Sequence, residues 1–257
     1  AELEKAKQSP ESLANFKRLK LGVWSNERAR YFRLEGLKKA GERRSLEECL
    51  ASGDRCYGGF DLASTSVLTG EVLIFGDFAK GFDVFAKAWV PEEEADRRIR
   101  QAKAPYRSWI DSGKLVATEG IRINYDRLIA EMIADFDAAS PVKVYADGFN
   151  AMLVGAKLLE AGVPFETIRQ GFLSLSSPTK ELERLIALGL IRIGDETVLE
   201  WCLGNAIAER APADNVKLSK KLSREKIDLA AALVNAIAAA MDDLIQPELT
   251  PVCGVIG

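Results

Sequence analysis

Charged and helix-favouring residues fill positions 1 to about 55, where Leu and Ala recur among Glu, Lys and Arg and where Pro10, Gly22, Gly36 and Gly41 cut the pattern into short helices. At Cys56 the pattern changes to short apolar runs. Tyr57-Gly58-Gly59-Phe60-Asp61-Leu62, Val72-Leu73-Ile74-Phe75 and Val84 to Val90 predict three strands, and their short glycine-containing connections predict an antiparallel meander. Pro91 followed by three glutamates opens a helix that runs to about Lys103. A second helix is capped by Asn124 and carries Leu128, Ile129, Met132, Ile133 and Phe136 at three- and four-residue steps, one apolar face. Val142 to Ala146 then forms a buried strand ending at Asp147, residues 149–161 a helix closed by Gly162, and Val163 to Ile168 a further strand. A strand-helix-strand run of this kind implies parallel pairing through a right-handed crossover. Two more helices follow, Lys180 to Leu188 stopped by Gly189, and about Ser223 to Met241 with Ile227, Val234, Ile237 and Met241 on one stripe. Residues 247–257 show no periodicity.

A chain of 257 residues can bury roughly 70% of its unfolded surface, so a single main core is expected. No apolar run approaches the ~20 residues of a membrane span, and the charged opening Ala1-Glu2-Leu3-Glu4-Lys5 lacks a secretory signal, which makes the cytoplasm the expected location. Cys49, Cys56, Cys202 and Cys253 show no metal-binding spacing and read as reduced, structural thiols. There is no histidine. That absence excludes Ser-His-Asp and Cys-His catalysis and every histidine-based metal site, leaving carboxylates with an oxygen-loving metal as the chemistry open to an enzyme. The net charge of -3 gives no overall attraction for nucleic acid, yet Lys217, Lys220, Lys221, Arg224 and Lys226 fall within ten positions and lead directly into Asp228. A second cluster, Arg97, Arg98, Arg100 and Lys103, reads as a solvated helix face.

Three acids occupy places from which they can converge: Asp61 on the first strand, Asp147 at the carboxyl end of a later strand, and Asp228 on the last helix. Two divalent ions ~3.5–4 Å apart need several carboxylates brought in from separate elements. Among 38 acidic residues, however, such a triplet also arises by chance. Asp61 as a turn acid, Asp147 as a strand-end Asx turn and Asp228 as a first-turn helix acid all remain open from the residues alone.

Cys56 to Thr65 resembles the strand that opens the nuclease domain of tailed-phage terminase large subunits. Val144-Tyr145-Ala146-Asp147 followed by Gly148-Phe149-Asn150-Ala151 is similar to that family's second acidic strand end, and Leu199 to Ala206 and Lys226 to Ala232 resemble its closing motifs in the same order. Upstream, Phe16 to Ser25 looks like the connector that follows the packaging motor. The resemblance implies an α/β, ribonuclease-H-like mixed sheet, an antiparallel meander followed by parallel strands, flanked by helices. It implies a helical connector over 1–55, a nuclease domain over 56–246 and a tail over 247–257. Asp61, Asp147 and Asp228 would ligate two Mg²⁺ or Mn²⁺ ions for hydrolysis of double-stranded DNA during genome packaging, one ion activating water and the other stabilising the leaving 3′ oxygen. Lys217, Lys220, Lys221, Arg224 and Lys226 would grip phosphates without reading sequence. The implied partners are DNA, the ATPase domain of the same protein, the portal and the small terminase subunit, in the host cytoplasm.

Val67 stands where many relatives carry a further acid, which leaves a fourth ligand in doubt. No phosphate-loop motif occurs, so the resemblance implies a piece of the protein without its motor. Trp201, Asn205 and the Gly58-Gly59 pair read as structural, the glycines allowing close backbone approach. Two other functions stay in view. Gly59 to Thr65 also resembles the first phosphate motif of actin-like ATPases, and a ribonuclease-H-like module can serve only to dock DNA or a portal without cutting.

Overall fold

A computed structural model describes residues 30–62, 68–101 and 104–245. The connector-like Phe16 to Ser25, Lys103, Val67 and the segment 247–257 with Cys253 lie outside the described residues.

The first described segment holds a short 3-10 helix, Leu34–Lys39, and α1, Leu46–Ala51. Ser45 and Glu48 close the start of α1 reciprocally, each side chain accepting from the other's backbone N–H. The meander follows as β1 (Cys56–Asp61), β2 (Thr69–Asp77) and β3 (Gly81–Pro91). Next come α2 (Glu92–Gln101), α3 (Tyr106–Asp111), β4 (Val116–Thr118) and α4 (Tyr125–Ala139), the last capped by Asn124 accepting from Arg127 N at 3.0 Å. β5 (Lys143–Asp147), α5 (Gly148–Glu160) and β6 (Phe165–Ile168) form the crossover unit. The chain continues through α6 (Phe172–Leu188), β7 (Ile191–Arg192), α7 (Thr197–Asn205), a hairpin of β8 (Ala208–Ala211) and β9 (Asn215–Leu218), and α8 (Asp228–Ile245).

The sheet runs β4-β3-β2-β1-β5-β6, with β7 also on β3. β1, β2 and β3 pair antiparallel, whereas β1–β5 and β5–β6 pair parallel, the order that a ribonuclease-H-like fold implies. Alternation along β1 sorts its side chains between two layers. Cys56 and Phe60 pack with Met132, Phe136 and Leu158 of α4 and α5, while Tyr57 faces the opposite layer with Leu233 and Ile237 of α8. Each fully buried side chain of this size contributes about 1.5–3 kcal/mol, so the two layers together clamp the sheet. α8 is apolar on nearly all sides because it lies inside the protein, between the sheet and α6. Among the described residues no helix is long and apolar enough to cross a membrane.

Residues 30–55 pack onto this core. Tyr31 and Phe32 are buried in it, and Gly36 meets the backbone of Ile186 so closely that a Cβ there would lie 1.8 Å from the Ile186 carbonyl oxygen. The fully buried Asp83 of β3 accepts from Arg44 Nε and Arg192 Nε, each at 2.8 Å. Burial pushes its carboxyl up, but the two guanidiniums outweigh this and hold it below the usual range.

Two helix starts and one hairpin differ most from the sequence expectation. α6 begins at Phe172 rather than Lys180, because Pro178 is accommodated inside the helix, buried, instead of ending it. α8 begins at Asp228 rather than Ser223, because residues 219–227 are held in turns by Ser219 and Ser223. The β8–β9 hairpin was not expected; its strands are only four residues long and too polar to show an apolar alternation. Cys49, Cys56 and Cys202 are buried and free, as reduced structural thiols should be.

Candidate active site

β1 and β5 run parallel, with Phe60 opposite Ala146, so Asp61 and Asp147 emerge side by side at the carboxyl ends of neighbouring strands. The two-residue period that turns Tyr57 and Tyr145 toward α8 turns these acids the same way. α8 reaches them because Gly59 has no side chain: a Cβ there would lie 2.2 Å from the Ala232 carbonyl oxygen and 2.4 Å from Ala236 N. Asn235 Nδ2 donates to the Phe60 carbonyl at 3.0 Å and fixes the helix along β1. Asp228 is the first residue of that helix, where unpaired peptide N–H groups favour a carboxylate.

Asp61, Asp147 and Asp228 line one cleft of about 540 Å³. Lys217, Lys220, Lys221, Arg224 and Lys226 line the same cleft, contributed by β9 and the loop that joins it to α8. Their parts in it differ. Lys221 and Arg224 are exposed, Lys217 lies over the Phe172 ring at 5.0 Å, and Lys226 is half-buried, with burial lowering its pKa. Lys220 points inward. Its Nζ lies 2.5 Å from Asp61 Oδ2 and 2.9 Å from Asp228 Oδ1, so the residue expected to grip phosphate sits instead on the two buried acids.

Burial pushes the Asp61 carboxyl up to about 7; Lys220 opposes this, and the charges of Asp228 and Asp147 add to it. Burial likewise works against the Lys220 ammonium, but Asp61 and Asp228 outweigh it and hold its pKa above the usual lysine value. Asp61 Oδ2 is buried, and the Lys220 ammonium is its close charged partner.

These features fit a hard cation. Carboxylate oxygens are the donors that Mg²⁺ and Mn²⁺ prefer, and an ammonium already stands in for positive charge between two of the acids. Among the described residues no three acidic or thiol side chains form a ready-made metal cage. Lys220 is drawn in between Asp61 and Asp228.

Arg98 corrects the reading of its cluster as a solvated face. It is mostly buried, and its Nη1 donates to Glu225 at 2.6 Å while its Nε donates to Glu94 at 2.9 Å. It therefore clips the basic loop to α2. Trp201 is structural, packed edge-on against Tyr106 and Trp109, and Asn205 Nδ2 donates to the Trp201 carbonyl at 2.9 Å. Sequence reading missed Asn235, Gln170, Thr179 and Glu209, which also line the cleft. Asn235 left a signal, a lone amide in an alanine-rich helix seven residues after Asp228 and hence on its face.

Residues 1–243 match the protein family described as the endonuclease domain of the terminase large subunit. The chain is 30% identical over 244 residues to the protein YmfN of Escherichia coli strain K12, covering 89% of this chain and 52% of YmfN. It is 31% identical over 196 residues to the terminase large subunit of Enterobacteria phage HK97, covering 74% of this chain and 38% of that protein. The chain thus spans about half, or less, of the length of these relatives. Of the solved structures, the HK97 large terminase superposes with a TM-score of 0.74 at 24% identity, over 92% of this chain and 49% of its own. The large terminase nuclease of the thermophilic phage G20c superposes at 0.50 with 11% identity, over 79% and 95%. Both likenesses establish the ribonuclease-H-like fold.

Proposed function

Because the chain belongs to the family of terminase large-subunit endonuclease domains, we propose that it cuts double-stranded DNA during phage genome packaging and that Asp61, Asp147 and Asp228 are its catalytic acids. One observation carries the proposal: the three acids and the five clustered cations line a single cleft although they come from β1, β5, β9, α8 and the loop before it. Divalent ions, Mg²⁺ or Mn²⁺, when bound would supply Lewis acidity for phosphodiester hydrolysis.

The chain's own residues do the rest. Asp61 and Asp228, both buried, hold the positive charge, and Asp147 supplies the third carboxylate from the adjacent strand end. Lys217, Lys221 and Arg224 hold phosphates at the mouth of the cleft, which fixes the backbone without reading bases. Arg98 and Glu225 keep the loop that carries two of them in place. In this reading residues 1–55 are the connector to an ATPase domain, 56–246 the nuclease and 247–257 a tail, with the portal and small terminase subunit as further partners in the host cytoplasm.

The purified chain is expected to nick or linearise plasmid DNA with Mn²⁺ or Mg²⁺ and to be silent in chelator. Asp61→Asn, which keeps shape and removes charge, should lower the rate below about a tenth of the parent's, a barrier change above ~1.4 kcal/mol. Undiminished cutting in excess chelator would exclude this chemistry. Metal-dependent cutting by Asp61→Asn at the parent rate would remove Asp61 from it.

A further inference from the structure

We propose that Lys220 is a built-in counter-cation for the paired acids Asp61 and Asp228, which a divalent metal must displace in order to bind. The inference rests on the metal-site reading of Asp61 and Asp228. Two buried carboxylates brought together by the end of β1 and the start of α8 repel each other unless a positive charge lies between them. Lys220 provides that charge, 2.5 Å from one and 2.9 Å from the other. One ammonium thus spans two carboxylates that come from different elements, the place a divalent cation would take.

The local structure permits the ammonium to leave without refolding anything. Leu222 N and Ser223 N both donate to the Ser219 carbonyl, at 3.2 and 3.0 Å, and Ile207 N donates to Ser223 Oγ at 3.0 Å, so the turn backbone is pinned. The Lys220 side chain itself is 49% exposed and sits on a flexible four-carbon stem. Swinging outward moves it toward Lys221 and Arg224 at the cleft mouth, where a phosphate would receive it. A divalent ion and an ammonium cannot both lie against the same two carboxylate oxygens, so metal binding and the inward position of Lys220 exclude each other.

The test is a calorimetric titration of Mn²⁺ into metal-free parent, Lys220→Gln, Lys220→Arg and Asp61→Asn, without DNA. Lys220→Gln removes the competitor and should bind Mn²⁺ at least about tenfold more tightly than the parent, whereas Lys220→Arg keeps the charge and should stay near the parent. In chelator Lys220→Gln should melt below the parent and gain more from added Mn²⁺, a readout independent of cutting. Asp61-dependent binding with equal or weaker affinity in Lys220→Gln, the variant remaining folded by circular dichroism, would overturn the inference while leaving the metal site intact. Absence of Asp61-dependent binding in both parent and Lys220→Gln would overturn the metal-site reading and this inference with it.

Discussion

Glu71 lies in the middle of β2, opposite Phe60 on one side and Lys87 on the other, and is buried on the α4 face of the sheet, away from the cleft. Burial, reinforced by the neighbouring charge of Asp135, pushes its carboxyl well above the usual value. Lys87, whose Nζ lies 2.6 Å from Asp135 and 3.2 Å from Glu131, serves those acids instead. A carboxyl whose folded pKa is raised weakens the fold as pH rises from the unfolded value through the folded one, because folding then requires taking up a proton. Stability should therefore be lower at a pH above the ordinary glutamate range than at one within it, and Glu71→Gln should flatten that fall. Urea midpoints for parent and variant at the two pH values measure it, and identical falls would mean that Glu71 is ionised in the folded protein. Nothing in the sequence announced this residue, since one acid within Thr69-Gly70-Glu71-Val72-Leu73-Ile74 looks like the polar member of an alternating strand. Asp61 and Asp147 were easier to see, because each ends an apolar strand. The inward turn of Lys220 was invisible, because five neighbouring cations signal a local field and say nothing about which one points back at an acid.

Glycine 59 governs how an element meets the sheet. With a Cβ 2.2 Å from the Ala232 carbonyl, Gly59→Ala must push α8 outward, and both the fold and the placing of Asp228 depend on α8. The expected loss is at least about 1–3 kcal/mol by denaturant unfolding, with Mn²⁺ affinity weakened as well. Gly171→Ala, with open space around it just before α6, is the control and should change stability by less than about 1 kcal/mol, because the stiffer unfolded chain offsets the poorer N-cap. Equal effects at the two positions would show that α8 is not seated through Gly59. The close approach was readable from the Gly58-Gly59 pair, but its partner was not, because strand and helix are separated by some 170 residues. The same limit hid the start of α8. Helical periodicity continues back to Ser223 in sequence, while the hydrogen bonds of Ser219 and Ser223 and the pull of Arg98 on Glu225 unwind those residues in space.

The whole molecule carries a net charge of -3, so its attraction for DNA must come from where charge is placed. With Lys220 engaged by the acids, binding measured in chelator should depend on Lys221 and Arg224. Replacing both by Ala should flatten the dependence of log affinity on log salt by roughly 0.9 per lost phosphate contact, equally for unrelated sequences. Lys38 and Lys39, exposed on the 3-10 helix, are suitable control positions. A slope unchanged by the first pair, or changed more by the control, would put DNA on another face. At this scale the sequence was most legible. The meander, the crossover and the order of motifs together define the architecture, and the family and structural matches agree with it.

α8 is also fastened at its far end. Asp243 accepts from Tyr57 Oη at 2.6 Å and pairs with Arg55 at 2.8 Å, and Asp242 accepts from Lys143 and from Tyr145 Oη. Tyr57 and Tyr145 belong to β1 and β5, the same strands that end in Asp61 and Asp147. Helix and strand pair therefore form a braced truss, tied at both ends, with a span of about 21 Å between Asp242 and Asp228 at 1.5 Å per residue. If the acids hold metal, such a frame should set the gap between them as a caliper does and resist widening for a larger ion. Loosening the distant tie, as Asp242→Ala would, should blur the discrimination between a small ion such as Mg²⁺ and a large one such as Ca²⁺, without altering any side chain in the cleft.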